Sequence, residues 1–211
     1  MRERPWDRSR LYGRAFAHAP VRTVAPVGQP VTLAEAKAQC RVDHSDEDAL
    51  LTSLIAAAVA HLDGYGGVLG RAILTQTWRQ DFDGFAGVGD LRLRLPMPAA
   101  SVASVTYVDA EGQTQTLASG LYALRRDAVG SFVEPAYGEG WPATRSQTAS
   151  VSVTFTAGYG GAADVPQPIK QAILLLVGHW YANREAVTSD PATPLPLGVE
   201  ALIAPRRVVG V

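Results

Sequence analysis

The hydrophobic pattern changes period twice along this chain. Leu50, Leu51, Leu54, Ile55, Ala58, Val59 and Leu62 recur at the spacing of one helical face. Ala56, Ala57 and Ala60 keep the other faces slim. Upstream, Thr32 and Glu35 have the spacing of a capping box, which predicts a short helix over about 33–40. The run Asp43–Asp48 opens the longer helix, and Gly64, Gly66 and Gly67 end it, so both helices fall within 32–65. The period then drops to two. Thr75–Phe82 and Leu91–Leu95 alternate as half-buried strands do, and Pro96 and Pro98 stop the second. Val102–Val108 and Gln113–Leu117 flank a four-residue connection, Asp109–Gly112, that reads as a hairpin. With Tyr122–Leu124, Ser131–Glu134 and Val151–Thr156 the count reaches six or seven strands, a mostly antiparallel insert over 73–160.

The helical period returns after Pro166 and Pro168, with Pro168 suited to a first turn. Ile169, Ala172, Ile173, Leu176, Val177 and Trp180 form the core face of a helix over 166–185. Leu174, Leu175 and Tyr181 widen its apolar surface, so it should be covered on two sides. The ends differ from both patterns. Residues 1–30 hold Pro5, Pro20, Pro26 and Pro30 with no stable period and read as an extended arm, although Trp6, Leu11, Tyr12 and Phe16 would give it something to lie on. Residues 186–211 read as a Pro-rich linker followed by a short apolar segment, Leu197–Ala204, and Arg206 and Arg207. The expected class is therefore α+β: a small helical bundle of two N-terminal helices and one late helix, with the β region inserted and a tail at each end. In residue terms that is an arm at 1–30, a domain at 31–185 and a docking tail at 186–211.

Composition narrows the function. The 211 residues carry 19 basic and 20 acidic side chains, a net charge of −1, which disfavours a dedicated duplex-DNA binder. The balance is uneven: residues 1–30 have six arginines against Glu3 and Asp7, a net +4, leaving −5 for the rest. Lys37 and Lys170 are the only lysines, an arginine bias that reports GC-rich codons rather than guanidinium chemistry. The longest apolar run, Ala172–Gly178, is far short of the ~18 residues of a membrane span, and no apolar run follows the N-terminal arginines as in a secretory leader. Cys40 is the single cysteine, which excludes an internal disulfide and a cysteine-cluster zinc site.

Candidate chemistry is sparse. Gly158–Ala163 fits G-x-G-x-x-A between a strand and a helix, the order of a dinucleotide-binding turn. However, Pro166 and Pro168 put the helix start beyond the glycines, and too little chain follows for a doubly wound sheet. Asp43, His44, Asp46, Glu47 and Asp48 lack the alternation of a calcium loop and suit a helix start. His18, His44, His61 and His179 fall in four different elements, and no nucleophile motif is present, so no enzyme is expected and no cofactor or metal. Arg92 and Arg94 share a strand face and Arg125 adjoins Arg126, without the interleaved aromatics of a base-stacking surface. Leu197, Val199, Leu202 and Ile203, behind their Pro-rich tether, suit either docking on a partner or folding back on their own domain.

Taken in order, several segments resemble one family. Val31–Lys37, Arg41–Leu51, Leu54–Tyr65, Leu74–Trp78, Leu95–Pro96, Val105–Asp109, Trp141–Thr144, Thr154–Tyr159, Pro168–Ile173, His179–Tyr181 and Asn183–Glu185 are similar to tailed-phage head–tail connector (adaptor) proteins. The likeness is greatest to adaptors of alphaproteobacterial prophage and gene transfer agent particles. It spans about 31–205 and rests on the series, not on any one motif. The resemblance implies a dodecameric ring in the particle neck, assembled in the bacterial cytoplasm, between the portal and the stopper or tail, with DNA passing through its channel. It implies no catalytic residues. It places the helices at ring contacts, for which Asp46, Glu47, Leu174, Leu175 and Tyr181 are the candidates. It places the C-terminal tail on the portal, with Leu197, Val199, Leu202, Ile203, Arg206 and Arg207 as candidates. The alternatives are a small dinucleotide-binding enzyme built on Gly158–Ala163 and another tail-completion protein such as a stopper.

Overall fold

The computed structural model describes residues 17–85, 91–184 and 197–208. Trp6, Leu11, Tyr12, Phe16 and the linker 185–196 lie outside the described residues, as does the side chain of Leu197. The chain forms two compact units, one comprising Met1–Ala25 with Gln76–Ala157 and the other Pro26–Thr75 with Gly158–Val211.

The described part of the first unit is mainly β. Strands β1 (Val21–Val24), β2 (Gln76–Phe82), β4 (Ala99–Val108), β5 (Thr114–Thr116) and β8 (Val151–Ala157) make an antiparallel sheet in the order β1-β2-β8-β4-β5. Strands β3 (Leu93–Arg94), β6 (Tyr122–Arg126) and β7 (Ser131–Pro135) make a second, in the order β3-β7-β6. The period-two pattern explains which face is buried. On β2 and β8, Trp78 lies opposite Phe155 and Gln80 opposite Val153, and all four are buried. Leu93 and Val133 bury the inner face of the smaller sheet, and the Ala99 N–H donates to Ser131 Oγ at 3.0 Å, tying the two sheets. At the β4–β5 turn the Asp109 carboxylate accepts from the Gln113 N–H and from Gln115, and Gly112 takes the left-handed conformation (φ +85°).

Strand β1 departs from the sequence reading, in which residues 1–30 are an extended arm without a stable period. Val21 and Arg22 pair with Arg79 and Trp78 of β2, and the His18 N–H donates to the Asp81 carbonyl. All four residues of β1 are exposed. An edge strand with no buried face has no alternation to detect, and only its pairing with distant residues defines it.

The second unit is helical, with α1 (Leu33–Cys40), α2 (Asp48–Leu62), α3 (Gln167–Ala182) and α4 (Leu197–Ile203). The α1 start is a capping box: the Glu35 N–H donates to Thr32 Oγ1 at 3.2 Å and the Thr32 N–H donates to the Glu35 carboxylate at 2.6 Å. Arg41 ends the helix in the left-handed conformation (φ +57°). The core is built around α3, whose Ile169, Ala172, Ile173, Leu176 and Val177 are fully buried. They meet Leu51, Ile55, Ala58 and Leu62 of α2, Ala36 of α1, and Val199 and Ile203 of α4. Each large aliphatic side chain so buried contributes about 1.5–3 kcal/mol. The wide apolar surface of α3 is thus covered from inside the chain by α4 as well as by α1 and α2.

Candidate assembly surface

The residues expected at ring contacts sit on α2 and α3, and the fold brings two of them onto each other. The Tyr181 hydroxyl donates to Glu47 Oε2, and Arg184 Nη2 donates to Glu47 Oε1 at 2.6 Å. The Arg184 guanidinium also lies 4.7 Å from the centre of the Tyr181 ring. The Tyr181 hydroxyl and the Arg184 guanidinium hold the Glu47 carboxyl below its ordinary value, while donating its proton into that bond pushes the Tyr181 phenol up. Lys37 Nζ meets Asp48 at 2.6 Å and ties α1 to α2. Asp46, by contrast, is 89% exposed and has only His44 Nδ1 near it, at 3.9 Å. Leu174 and Leu175 are half-buried against the helical core, and Leu175 is the neighbour of Gly198 on α4.

The candidates on the C-terminal tail divide in the same way. Val199 and Ile203 are buried in the core of their own unit, and Leu202 is partly buried beside it. Of the two possibilities for this segment, folding back is what these side chains do. Arg206 and Arg207 are carried to the turn that follows α2. The Val68 and Leu69 N–H groups donate to the His61 and Leu62 carbonyls, which sets that turn on the C-terminal end of α2. The Val208 N–H then donates to the Leu69 carbonyl at 2.8 Å, and Arg207 Nε donates to the Val68 carbonyl at 3.1 Å. Arg71 Nη1 donates to the Arg206 carbonyl at 3.3 Å, and its guanidinium covers the Tyr159 ring at 4.7 Å. Arg71 therefore joins Arg206 and Arg207 in one basic cluster. The sequence reading passed over Arg71, a lone arginine in a turn, 135 positions from its partner.

The Gly158–Ala163 loop is used by the backbone. A Cβ on Gly158 would overlap the Leu74 carbonyl, and its φ of +123° is one that side chains rarely allow. The Tyr159 N–H donates to the Ile73 carbonyl and the Thr75 N–H to the Gly160 carbonyl. The Gly161 N–H, which would face a phosphate in a dinucleotide turn, donates to the Asp164 carboxylate at 2.9 Å. Cys40 is half-buried and burial pushes its thiol up, which lowers its thiolate fraction. Among the described residues no group of three or more His, Cys, Asp or Glu is arranged to hold a metal ion, and no helix is long and apolar enough to cross a membrane.

What this surface belongs to follows from comparison with known proteins. The family model for "Phage gp6-like head-tail connector protein" matches residues 30–83, a span that holds α1, α2 and β2. A structure of the virion of a native gene transfer agent particle contains a chain 29% identical to this one, with a TM-score of 0.71 over 92% of this chain and 97% of that chain. The chain resembles a head–tail connector. The connector likeness extends to the neck of an empty gene transfer agent particle, computed with C6 symmetry, at 29% identity and a TM-score of 0.72 over 92% of this chain and 97% of that one. It extends also to the neck of a native particle computed with C12 symmetry, at 29% identity and a TM-score of 0.61 over 90% and 97%. No curated protein gives a significant match. The matched family spans the capping box and the acidic start of α2, and the matched structures carry the likeness through both units. The matched family is one of head–tail connector proteins, and the matched structures are of a gene transfer agent virion and its neck.

Proposed function

We propose that the chain is a structural connector in the neck of a phage-like particle of the gene transfer agent type, acting by assembly and without turnover. The observation that carries this reading is the 29% identity and TM-score of 0.72 to a neck protein over 92% of the chain. Copies form a ring, a reading supported by the C6 and C12 symmetries of the matched necks. The ring lies between the portal of the head and the stopper or tail, is built in the bacterial cytoplasm, and lets DNA pass through its channel. A net charge of −1 per chain suits that passage, because phosphate contacts from excess arginine would hold the duplex in a salt-dependent way. Val199 and Ile203 are engaged in the core, so no portal contact is assigned to them.

The test is electron microscopy of particles from cells that make this protein, with and without its gene. The expected result is ring-shaped density beneath the portal that this chain fits, and heads without tails when the gene is deleted. Density for this chain elsewhere in the particle, or normal tailed particles without the gene, would overturn the reading. A stopper would appear one layer further from the portal, so the same image separates the two.

A further inference from the structure

We propose that neighbouring copies join through the two ends of α2, the arginine end of one copy (Arg71, Arg206 and Arg207) meeting the aspartate end of the next (Asp43 and Asp46). The proposal rests on the ring of copies above. A closed ring needs a heterologous contact, in which each copy carries two different surfaces that complement each other. The helical unit carries such a pair of opposite charge. The two lie at opposite ends of a 15-residue helix, roughly 22 Å apart at 1.5 Å per residue.

At the arginine end, the Arg71 and Arg207 guanidiniums donate to the Arg206 and Val68 carbonyls, which brings the three residues to one turn, and none of the three has a carboxylate within ion-pair distance among the described residues. Asp63, the acid nearest in sequence, accepts from the Ile73 N–H at 2.7 Å. Arg206 Nε is shielded from solvent with no hydrogen-bond partner. An acidic surface laid on this end would give these arginines the ionic partners they lack within the described residues. At the other end of α2, Lys37 pairs with Asp48 and Arg184 with Glu47, leaving Asp43 and Asp46 exposed, with only His44 near Asp46, at 3.9 Å, among the described residues. Between the two ends the outward positions of α2 are uncharged and small: Ala49, Thr52, Ser53, Ala56, Ala57 and Ala60. Nothing on that face competes with either end for an ionic partner. Charge complementarity within one sequence is what favours a second copy over any other acidic partner.

The contact is tested by exchanging its charges in assembled particles. Arg207 and Asp46 are both exposed, so Arg207→Asp and Asp46→Arg leave the fold intact, and thermal melting of each purified variant checks this. Each single reversal is expected to lower the yield of tailed particles about tenfold or more. The double variant D46R/R207D restores the pair between copies and should return the yield to within about threefold of wild type. A double variant no better than the singles, or either single with wild-type yield, overturns the proposal. Loss with Arg207→Asp alone would mean that the arginine end faces the portal or nucleic acid, and also overturns it. Should a reversal fail to fold, Arg207→Gln and Asp46→Asn replace it, each expected to make neck assembly fail at lower salt than the wild type; unchanged salt tolerance in both counts against the contact. Absence of wild-type chain from the neck would be seen before any variant is made, and would count against the ring reading instead.

Discussion

The β unit and the helical unit treat their charges differently. In the β unit Arg79, Arg92, Arg94 and Arg125 meet carboxylates of the same unit. Arg94 makes a two-pronged bond to Asp127 at 2.7 and 3.0 Å, Arg79 meets Asp81 at 3.0 Å and Arg125 meets Glu134 at 3.4 Å. Arg92 and Arg94 also lie over the Phe132 ring, at 4.8 and 5.3 Å, and shield it from water. The helical unit pairs Glu47 and Asp48 but leaves charge of one sign at one end of α2 and of the other sign at the other end. The lesson is that total charge says little about a surface: the described β unit pairs four of its arginines internally, while the helical unit keeps unpaired charge of opposite sign at the two ends of α2.

The sharpest way to break this contrast is to ask whether α4 belongs to the helical core. Ile203→Ala should cost about 2–5 kcal/mol in unfolding free energy, close to the roughly 3–5 expected for Phe155→Ala in the β unit. Both side chains are almost wholly buried. Chemical denaturation of the two variants checks this. An Ile203→Ala variant as stable as wild type would show that α4 is a tether and not part of the core. Removing residues 196–211 is correspondingly a poor test of partner binding, since it also removes Val199 and Ile203 from the core.

Acid should loosen both units, to different extents. Hydrogen bonds from Arg94 hold the Asp127 carboxyl far below the ordinary aspartate range, and His18 and the Ala149 N–H lower Asp83. In the helical unit the Thr32 N–H and hydroxyl lower Glu35, and Tyr181 and Arg184 lower Glu47. A carboxyl with a depressed folded-state value stabilises the fold above its unfolded value, and that stability is lost as pH falls through the folded one. Stability should therefore be level at neutral pH and fall below about pH 5, with Asp127 the last of these groups to take a proton. Stability that rises on acidification, or a pair from Asp127 to Arg94 that opens before the one from Glu47 to Arg184 in a carboxylate titration followed by NMR, would contradict this ordering. The smallest effect expected is that of Tyr181→Phe. It removes one donor from a half-buried carboxylate that keeps Arg184, so the Glu47 value should rise toward normal with little change in melting temperature. An unchanged Glu47 titration would place its stabilisation on Arg184 alone.

Much of the fold was legible in the chain because its signals are local. Thr32 and Glu35 are three residues apart, and their capping box is complete without tertiary help. The alternation in Gln76–Phe82 and Val151–Ala157 reappears as alternating burial. The Gly158–Ala163 spacing was equally visible, but spacing does not say what a glycine is for. Only the approach of the Leu74 carbonyl explains Gly158, and only Asp164 explains where the Gly161 N–H points. The candidate ring-contact residues followed from the resemblance, which implies helices at ring contacts. That reading could not tell Asp46, which remains open, from Glu47, which Tyr181 and Arg184 occupy.

By itself the sequence determined the α+β class, the helix starts, the strand periods and the connector resemblance, since each depends on residue types at short spacings or in fixed order. Tertiary structure decided the rest. It made Val21–Val24 a strand by pairing it with residues 53–58 positions away, and made Val199 and Ile203 core by laying α4 on α3. It also collected Arg71, Arg206 and Arg207 into one site. The physical reason is common to all three: pairing, burial and charge clustering are properties of which surfaces meet, and a one-dimensional pattern records only which surfaces are available to meet.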